Sequence, residues 1–508
     1  MLALAACTGT TGTRDNPAPE PGNPSGEPIS VRLPAGPTNI DPHTTNQAIG
    51  RELGFYTYDT LLHLQNGKIV SGLATAWRQQ SPTRYEFDLT DKATCDDGHR
   101  LTAADIKANF DRVLDPKTGG PFAATFLGST RLKVAAARGK LVVDLPSPNS
   151  DLLTGLTTFP SIICPQGLKN PKALATKAYG TGPWTLEKAV PGDHYTMKPR
   201  KDYTWGPGGD TAWDVRTPTE LTLKVAETDS TGANLFLSGQ LDITSAAGST
   251  QDRLRTGGEV FSRGTSRAVV HLYFNQRPGK KPADARIRKA LAQAVDRMAL
   301  AKIAMEGKAA YAPSLILDSA PCYDENAGSG LPAYDPDTAR RTLSGAGLRI
   351  RLLASSSDLS GEVATAEFLA DAWKRAGVDV TIDTPDGATA VERLFSGQDW
   401  DVAVLAQSGI TVPSILTPYF SGPSAPQGRN FSSIDNPEYT RISATALAAT
   451  TQKDACAQWG RAEAALYRGT DVLPLYYDVV RYYGKGVSFD IGGFTGYTFL
   501  PTSFRVTR

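Results

Sequence analysis

The stretch that most constrains the fold lies between residues 348 and 405. Residues 348–354 read as a strand. Residues 360–376 place Val363, Ala366, Leu369, Ala370 and Trp373 on one helical face, with Gly377 as the stop. Residues 378–382 predict a second strand, 388–395 a short helix ending at Gly397, and 400–405 a third strand. The order β-α-β-α-β implies an α/β fold with a mostly parallel sheet covered on both faces. Ligands bind such sheets beyond the carboxyl ends of the strands. That rule alone makes Ala406, Gln407, Ser408, Gly409 and Ile410 candidate site residues.

The other elements are shorter. Residues 268–274 and 472–477 are extended apolar runs, and a helix starts near Ala283 with Ile287, Leu291, Ala294, Val295 and Met298 on one face. In the first half Tyr85-Glu-Phe-Asp-Leu89 alternates as a half-buried strand does. Asp96-Asp97-Gly98 is a turn, and Thr102 with Asp105 three residues on predicts a helix N-terminus whose inner face is Ile106, Phe110 and Val113. The acids there do not supply the oxygen spacing or terminal Glu of an EF-hand.

At 508 residues the chain predicts two to three domains. With a formal charge of +1 and no clustered Lys/Arg, no nucleic-acid partner is expected, and no apolar run is long enough to span a membrane. The five cysteines, Cys7, Cys95, Cys164, Cys322 and Cys456, form no Cys-x-x-Cys or Cys/His cluster, so neither a metal site nor a cofactor is expected. With Cys7 set apart, four remain, and two disulfides among them have three possible connectivities. No nucleophile elbow, zinc-protease motif or phosphate loop is present. In Gly180-Thr-Gly182 a phosphate-binding helix is blocked by Pro183 and Trp184. An enzyme is not expected.

These segments, in their order, resemble the dipeptide- and oligopeptide-binding proteins of ABC importers, extracellular solute-binding protein family 5. The resemblance is carried by Asn39-Ile-Asp41-Pro42, Tyr58-Asp59-Thr60-Leu61-Leu62, Gly72-Leu73-Ala74-Thr-Ala-Trp77, the Asp97–Ile106 turn and helix start, and Gly180-Thr-Gly-Pro-Trp184. Phe274-Asn275, Ile287 to Arg297, Asp435-Asn-Pro-Glu-Tyr439 and Leu473-Pro-Leu-Tyr476 continue it, from about residue 30 to 490. It implies a bilobal periplasmic-binding-protein-like fold of type II, cluster C, with two mixed-sheet lobes joined by a two-strand hinge. Lobe I would comprise 29–270 plus 471–508, with an extra subdomain at about 45–170, and lobe II 271–470. On this layout Cys95–Cys164 and Cys322–Cys456 each stay inside one lobe and are the expected disulfides. The resemblance also implies a monomer that takes a small polar solute (peptide, modified peptide or oligosaccharide) between its lobes and delivers it to ABC permease transmembrane subunits.

By position, the expected ligand-binding residues are His43, Thr44 and Thr45 after the Asp-Pro pair, and Trp184 after the Gly-Thr-Gly-Pro turn. Tyr273 and Asn275 on the hinge, Gln407, Ser408, Gly409 and Ile410 beyond the strand, and Tyr419, Arg429 and Asn430 in the following loops complete the set. Peptide-binding members carry an aspartate that grips the peptide's α-amino group a few residues before a proline. Here that stretch is Ser408-Gly-Ile-Thr-Val-Pro413, with no acid, while Asp399 and Asp401 sit at the far end of their strand. Losing one partner of a buried charge pair costs roughly 2–5 kcal/mol, out of the roughly 8 kcal/mol that micromolar binding represents. A free peptide amino terminus is therefore not the expected ligand group.

Leu4-Ala5-Ala6-Cys7 fits a lipobox at the end of a signal-peptide remnant, residues 1–7, with the lipid on Cys7. The Pro/Gly/Thr-rich residues 8–28 form a flexible tether. The expected location is the outer face of the cytoplasmic membrane or the periplasm, reached by export and held by the lipid anchor alone. Met1 falls inside the apolar region and no basic segment precedes it, so the start is expected to lie upstream. A second functional class fits the same residues: an envelope lipoprotein using this fold as a regulatory or sensory receptor outside transport.

Overall fold

The computed structural model describes residues 23–508 except 66, 121, 210–212, 256–260, 346, 357–359, 397–398, 410–411 and 493–497. Cys7 and most of the tether lie outside the described residues, as does Ile410.

The β-α-β-α-β stretch forms as Arg349–Leu353, helix Glu362–Arg375, Asp379–Asp383, helix Gly387–Ser396 and Val402–Ser408. The first strand lies between the other two and runs parallel to both. Trp373 anchors the longer helix, its Nε1–H donating to the Leu291 carbonyl at 2.9 Å. The helix ends where Gly377 takes a φ of 89°, a left-handed conformation that glycine adopts without strain.

The two apolar runs become far longer strands than the sequence suggests, Phe261–Phe274 and Val472–Gly484. They pair with each other antiparallel along almost their whole length. At one end Phe261–Phe274 pairs with Val402–Ser408, and at the other Val472–Gly484 pairs with Ile243–Ala246. The lobes' sheets are thus not separated by bare hinge peptides. They join edge to edge in one 11-stranded sheet among the described residues, and the hinge is the middle of that sheet. Pro474, which has no N–H to give, stands opposite His271 at a register shift in the pairing.

Two large hydrophobic cores flank this junction. One gathers Ile29 to Ile243 together with Val487–Val506 side chains, and the other gathers Val270 to Tyr476. Ile415 packs against both. The antiparallel sheet of Ala74–Ser81, Arg84–Leu89, Lys140–Asp144 and Lys133–Ala137 shares the first core. Its helix Ala103–Leu114 begins with the capping box expected at Thr102 and Asp105 and buries Ile106, Phe110 and Val113. Cys95 is bonded to Cys164 and Cys322 to Cys456, each bridge within one of the two cores' segments.

The helix expected from about Ala283, with Met298 the last residue of its face, breaks in two, Ala285–Gln293 and Arg297–Ala304. Asp296 caps the second, its carboxylate accepting the Ala299 N–H. That redirection leaves Met298 exposed, while Leu291 and Val295 are buried.

Candidate functional site

A hollow of about 1310 Å³, open to solvent, lies between the two cores. From the first core's side come Ala48 and Arg51 of the helix Ala48–Thr57, Phe122, Thr125 and Phe126, and the Ser147-Pro148-Asn149 turn. From the other side come Ser408 and Gly409 beyond the end of Val402–Ser408, then Ser414, Ile415, Thr417, Pro418, Tyr419, Arg429 and Leu447. The strand-end rule therefore reaches the cleft through Ser408 and Gly409, and its opposite wall is made by the helix that follows the Asp-Pro loop.

Arg51 and Arg429 line this cleft, and no Asp or Glu is among the described residues that do. Each guanidinium lies against an aromatic ring, Arg51 over Phe122 at 4.3 Å and Arg429 over Tyr419 at 4.9 Å to the ring centroids. Arg429 also donates to the Tyr419 hydroxyl at 2.5 Å. Tyr419 is backed by Phe431 at 5.9 Å, and Phe431 by Tyr273 at 4.9 Å. Asp399 and Asp401 are engaged at the far end of the strand: Asp399 pairs with Arg351, and Asp401 accepts the Arg351 N–H and faces Lys280.

Beside this hollow, backbone and side chain bridge the two cores directly. The Ser414 N–H donates to the Asp151 carboxylate at 3.3 Å, and the Ser150 N–H donates to the Leu447 carbonyl at 2.9 Å. Asp151 is buried, and burial pushes its carboxyl up from the ordinary range against the opposing pull of Ser414.

Several residues expected at the ligand are scaffold instead. Trp184 does not face the cleft. It is 1 % exposed in the first core, packs edge-on to Trp213 and Phe504, and donates its Nε1–H to the Pro501 carbonyl. Gly180 and Gly182 explain why it turns inward: a Cβ at either would come within 2.1 or 2.4 Å of the Thr57 backbone, so this turn is a close packing contact with the end of the helix Ala48–Thr57. His43 and Thr45 are buried, and Thr44 is held by the Asn39 amide. His43 donates Nε2–H to the Ser161 carbonyl, beside the Arg112–Asp41 ion pair. Burial and the Arg112 charge lower its pKa to about 4, so the ring is neutral. Asn275 and Asn430 are buried and serve backbone: Asn275 donates to the Trp400 carbonyl, and Asn430 bonds both the carbonyl and the N–H of Ile434.

Tyr273 is also buried, its hydroxyl on the Gln407 side-chain amide at 3.0 Å. Gln407 in turn lies 3.1 Å from His271 Nδ1, and His271 Nε2 lies 3.1 Å from the Leu315 carbonyl. A carbonyl only accepts, so Nε2 carries the proton. The neutral ring, its pKa lowered by burial to about 4, is then an acceptor at Nδ1, where the Tyr273 hydroxyl stands 3.4 Å away as the available donor. Gln407 thus props the cleft floor from behind.

The sequence reading missed Arg51, Phe122, Phe126 and Asn149. Only Arg51 carried a usable signal, a lone cation in the first turn of a helix directly after the Asp-Pro loop.

A second hollow, about 670 Å³, lies wholly in the first core's segments around Asp59 and Tyr203. Its buried carboxylate already accepts from Thr181, Tyr203 and Trp205, so it offers a ligand little. Among the described residues no group of His, Cys, Asp and Glu is placed to hold a metal ion, and no helix is long and apolar enough to cross a membrane.

Two cores, one through-going sheet and a cleft walled from both sides define a protein of the periplasmic-binding-protein class. The chain belongs to the bacterial extracellular solute-binding proteins, family 5, whose middle region matches residues 68–426. The periplasmic murein peptide-binding protein MppA of Escherichia coli K12 is 25% identical over 457 residues, 81% of this chain and 80% of that protein. The glutathione-binding protein GsiB of Salmonella typhimurium is 23% identical over 491 residues, 93% of this chain and 92% of that one. Among solved structures, a substrate-binding protein from Microbacterium hydrocarbonoxydans complexed with 4-hydroxybenzoate hydrazide is 27% identical, with a TM-score of 0.76 and coverage of 95% of this chain and 100% of that one. The ABC transporter substrate-binding protein CtaP of Listeria monocytogenes reaches a TM-score of 0.82 at 16% identity, covering 95% and 100% of the two chains.

Proposed function

We propose that this protein is the exported substrate-binding component of an ABC importer, anchored through a lipid on Cys7 at the outer face of the membrane. It takes a peptide-like or other small polar solute between two closing lobes, 29–270 plus 471–508 and 271–470, and presents it to the permease subunits as a monomer. The observation that supports this best is the cleft lined from both cores and bridged beside its mouth by Asp151 and Ser414. A ligand shifts an open–closed equilibrium only by its differential affinity for the closed form, so contacts on both walls are what a transport receptor needs. The likeness to MppA, which binds a murein peptide, and GsiB, which binds glutathione, supports trying peptide-like solutes first.

The test pairs closure with uptake. Spin labels on the two lobes should report a shorter separation when solute is added, and deletion of the gene should abolish uptake of that solute. Binding without closure, or normal uptake after deletion, would refute the transport role.

A further inference from the structure

Resting on the reading that the two lobes close over a solute, we infer that closure itself takes up a proton at Asp151, which makes solute capture proton-linked. Asp151 stands at the N-cap position of the short helix Leu152–Gly155, after Asn149, whose side-chain oxygen accepts the Asp151 N–H at 3.1 Å. An aspartate in that place ordinarily turns back and accepts from the first N–H groups of its own helix. This one makes no such bond. Its carboxylate crosses the seam between the lobes instead, meeting the Ser414 N–H at 3.3 Å, with the Ser150 hydroxyl at 3.5 Å.

The seat it enters carries no balancing charge. Pro321, Cys322, Val412, Pro413 and Ala455 of the second lobe wall a hollow around it. The Trp459 indole N–H, buried and without a hydrogen bond of its own, also faces it. Among the described residues no Lys, Arg or His forms an ion pair with Asp151. Tyr85 lines the same hollow, but burial pushes its hydroxyl up to about 12 and it stays neutral. The charges on the elements packed here are spent elsewhere. Lys453 and Asp454 at the start of the helix Gln452–Gly469 are exposed, as are Lys68, Asp324 and Glu325. Glu463 accepts the Leu315 N–H, and Arg84 and Arg78 beside Tyr85 pair with Asp144 and Glu86.

With the lobes together, the carboxylate has exchanged water and its own helix cap for one long N–H contact. Parting the lobes returns it to water and frees it to cap. The charged form is therefore favoured when the lobes are open and the neutral form when they are closed, in the direction that burial moves its pKa. The sign follows. A group whose pKa is higher in the closed state favours closure as pH falls toward the ordinary carboxylate value of about 3.9, and loses that advantage as pH rises through the closed-state value. Between the two, the closed-to-open ratio changes by up to about tenfold per pH unit.

The test needs no solute. Spin labels on the two lobes of the whole, ligand-free protein report the closed fraction from about pH 8 down to about pH 5.5, above the range in which His43 and His271 take up protons. The closed-to-open ratio of the native protein should grow by at least about threefold across that range. Asp151→Asn should give a higher ratio that no longer depends on pH. Infrared spectra of the native protein supply a reading that does not depend on the variant's folding in full. At pH 6 the carbonyl band of a protonated carboxyl should strengthen when the labels report closure, and the Asp151→Asn spectrum identifies it against the other raised carboxyls, Glu52 and Glu463. A ratio that stays flat in the native protein, or a slope that persists in Asp151→Asn, overturns the proton link. Either result leaves the receptor reading standing, since that is decided by closure on solute and by uptake.

Discussion

The Asp151 carboxylate and the Ser414 N–H meet across the two cores at 3.3 Å, the shared contact of a buried acid from one side with the first turn of a short 3-10 helix from the other. Burial raises the Asp151 pKa, so the charged form is disfavoured in this arrangement even though the contact is formed. A neutral side chain with the same acceptor should hold the lobes together better than the native one.

Asp151→Asn is therefore expected to shift the ligand-free protein toward the closed form, and Asp151→Ala toward the open form. Alanine leaves the Ser414 N–H without its acceptor, at a cost of about 1–3 kcal/mol. Small-angle scattering of the ligand-free variants reads this directly: the radius of gyration should fall for Asn and rise for Ala.

The hinge has its own ion pair. Arg267 on Phe261–Phe274 donates Nε–H to Asp478 on Val472–Gly484 at 3.0 Å, and the Ser360 hydroxyl donates to the same carboxylate oxygen at 2.7 Å. Asp478 is fully buried. Removing one partner of a buried pair leaves the other charge uncompensated, so Asp478→Ala should lower unfolding stability by about 3–5 kcal/mol in urea titrations.

Acid should loosen the fold through His43 and His271. Both have pKa values lowered by burial to about 4 from 6.5. The unfolded chain takes up these protons first, so the stabilisation is full above pH 6.5 and is lost as pH falls toward 4, about 3 kcal/mol for each ring. Glu52 works the other way: its pKa is raised from 4.5 to about 7, so it favours the folded state as pH falls below 7, and its partial exposure keeps that effect small. Melting temperature followed from pH 7 to pH 4 should drop, and His271→Gln should flatten the drop.

Trp184→Phe separates scaffold from site. Losing the Nε1–H donation to the Pro501 carbonyl and part of the ring volume should cost about 2 kcal/mol of stability. Solute affinity should be unchanged, since the ring lies in the first core and not in the cleft.

Reduction of the two disulfides removes constraints across sequence separations of 69 and 134 residues. Loops of that size lose roughly 4 kcal/mol each when opened. Melting in dithiothreitol should fall well below melting in buffer, and Cys322→Ser with Cys456→Ser should reproduce part of that fall.

The sequence by itself determined whatever depends on near neighbours. The strand and helix signals of 348–405 and the stop at Gly377 are local patterns, and each formed within a few residues of where the pattern placed it, while Gly397 lies outside the described residues. Thr102 and Asp105 form their capping box because the two groups are three residues apart on any helix that starts there. The strand-end rule found Ser408 and Gly409 for the same reason, as it needs only the direction of one strand. The tertiary structure decided what depends on distant segments meeting. Trp184 looked available for a ligand until its turn packed against Thr57 and its ring went under Pro501. The hinge strands looked short because pairing between 261–274 and 472–484, not local propensity, extends them. Arg51 and Arg429 carry no sequence signal of partnership, since only the folding of both cores around one sheet brings them to opposite walls of the same cleft. Local pattern encodes the elements, but the long-range packing that fixes which side chains share a space leaves no periodicity to read.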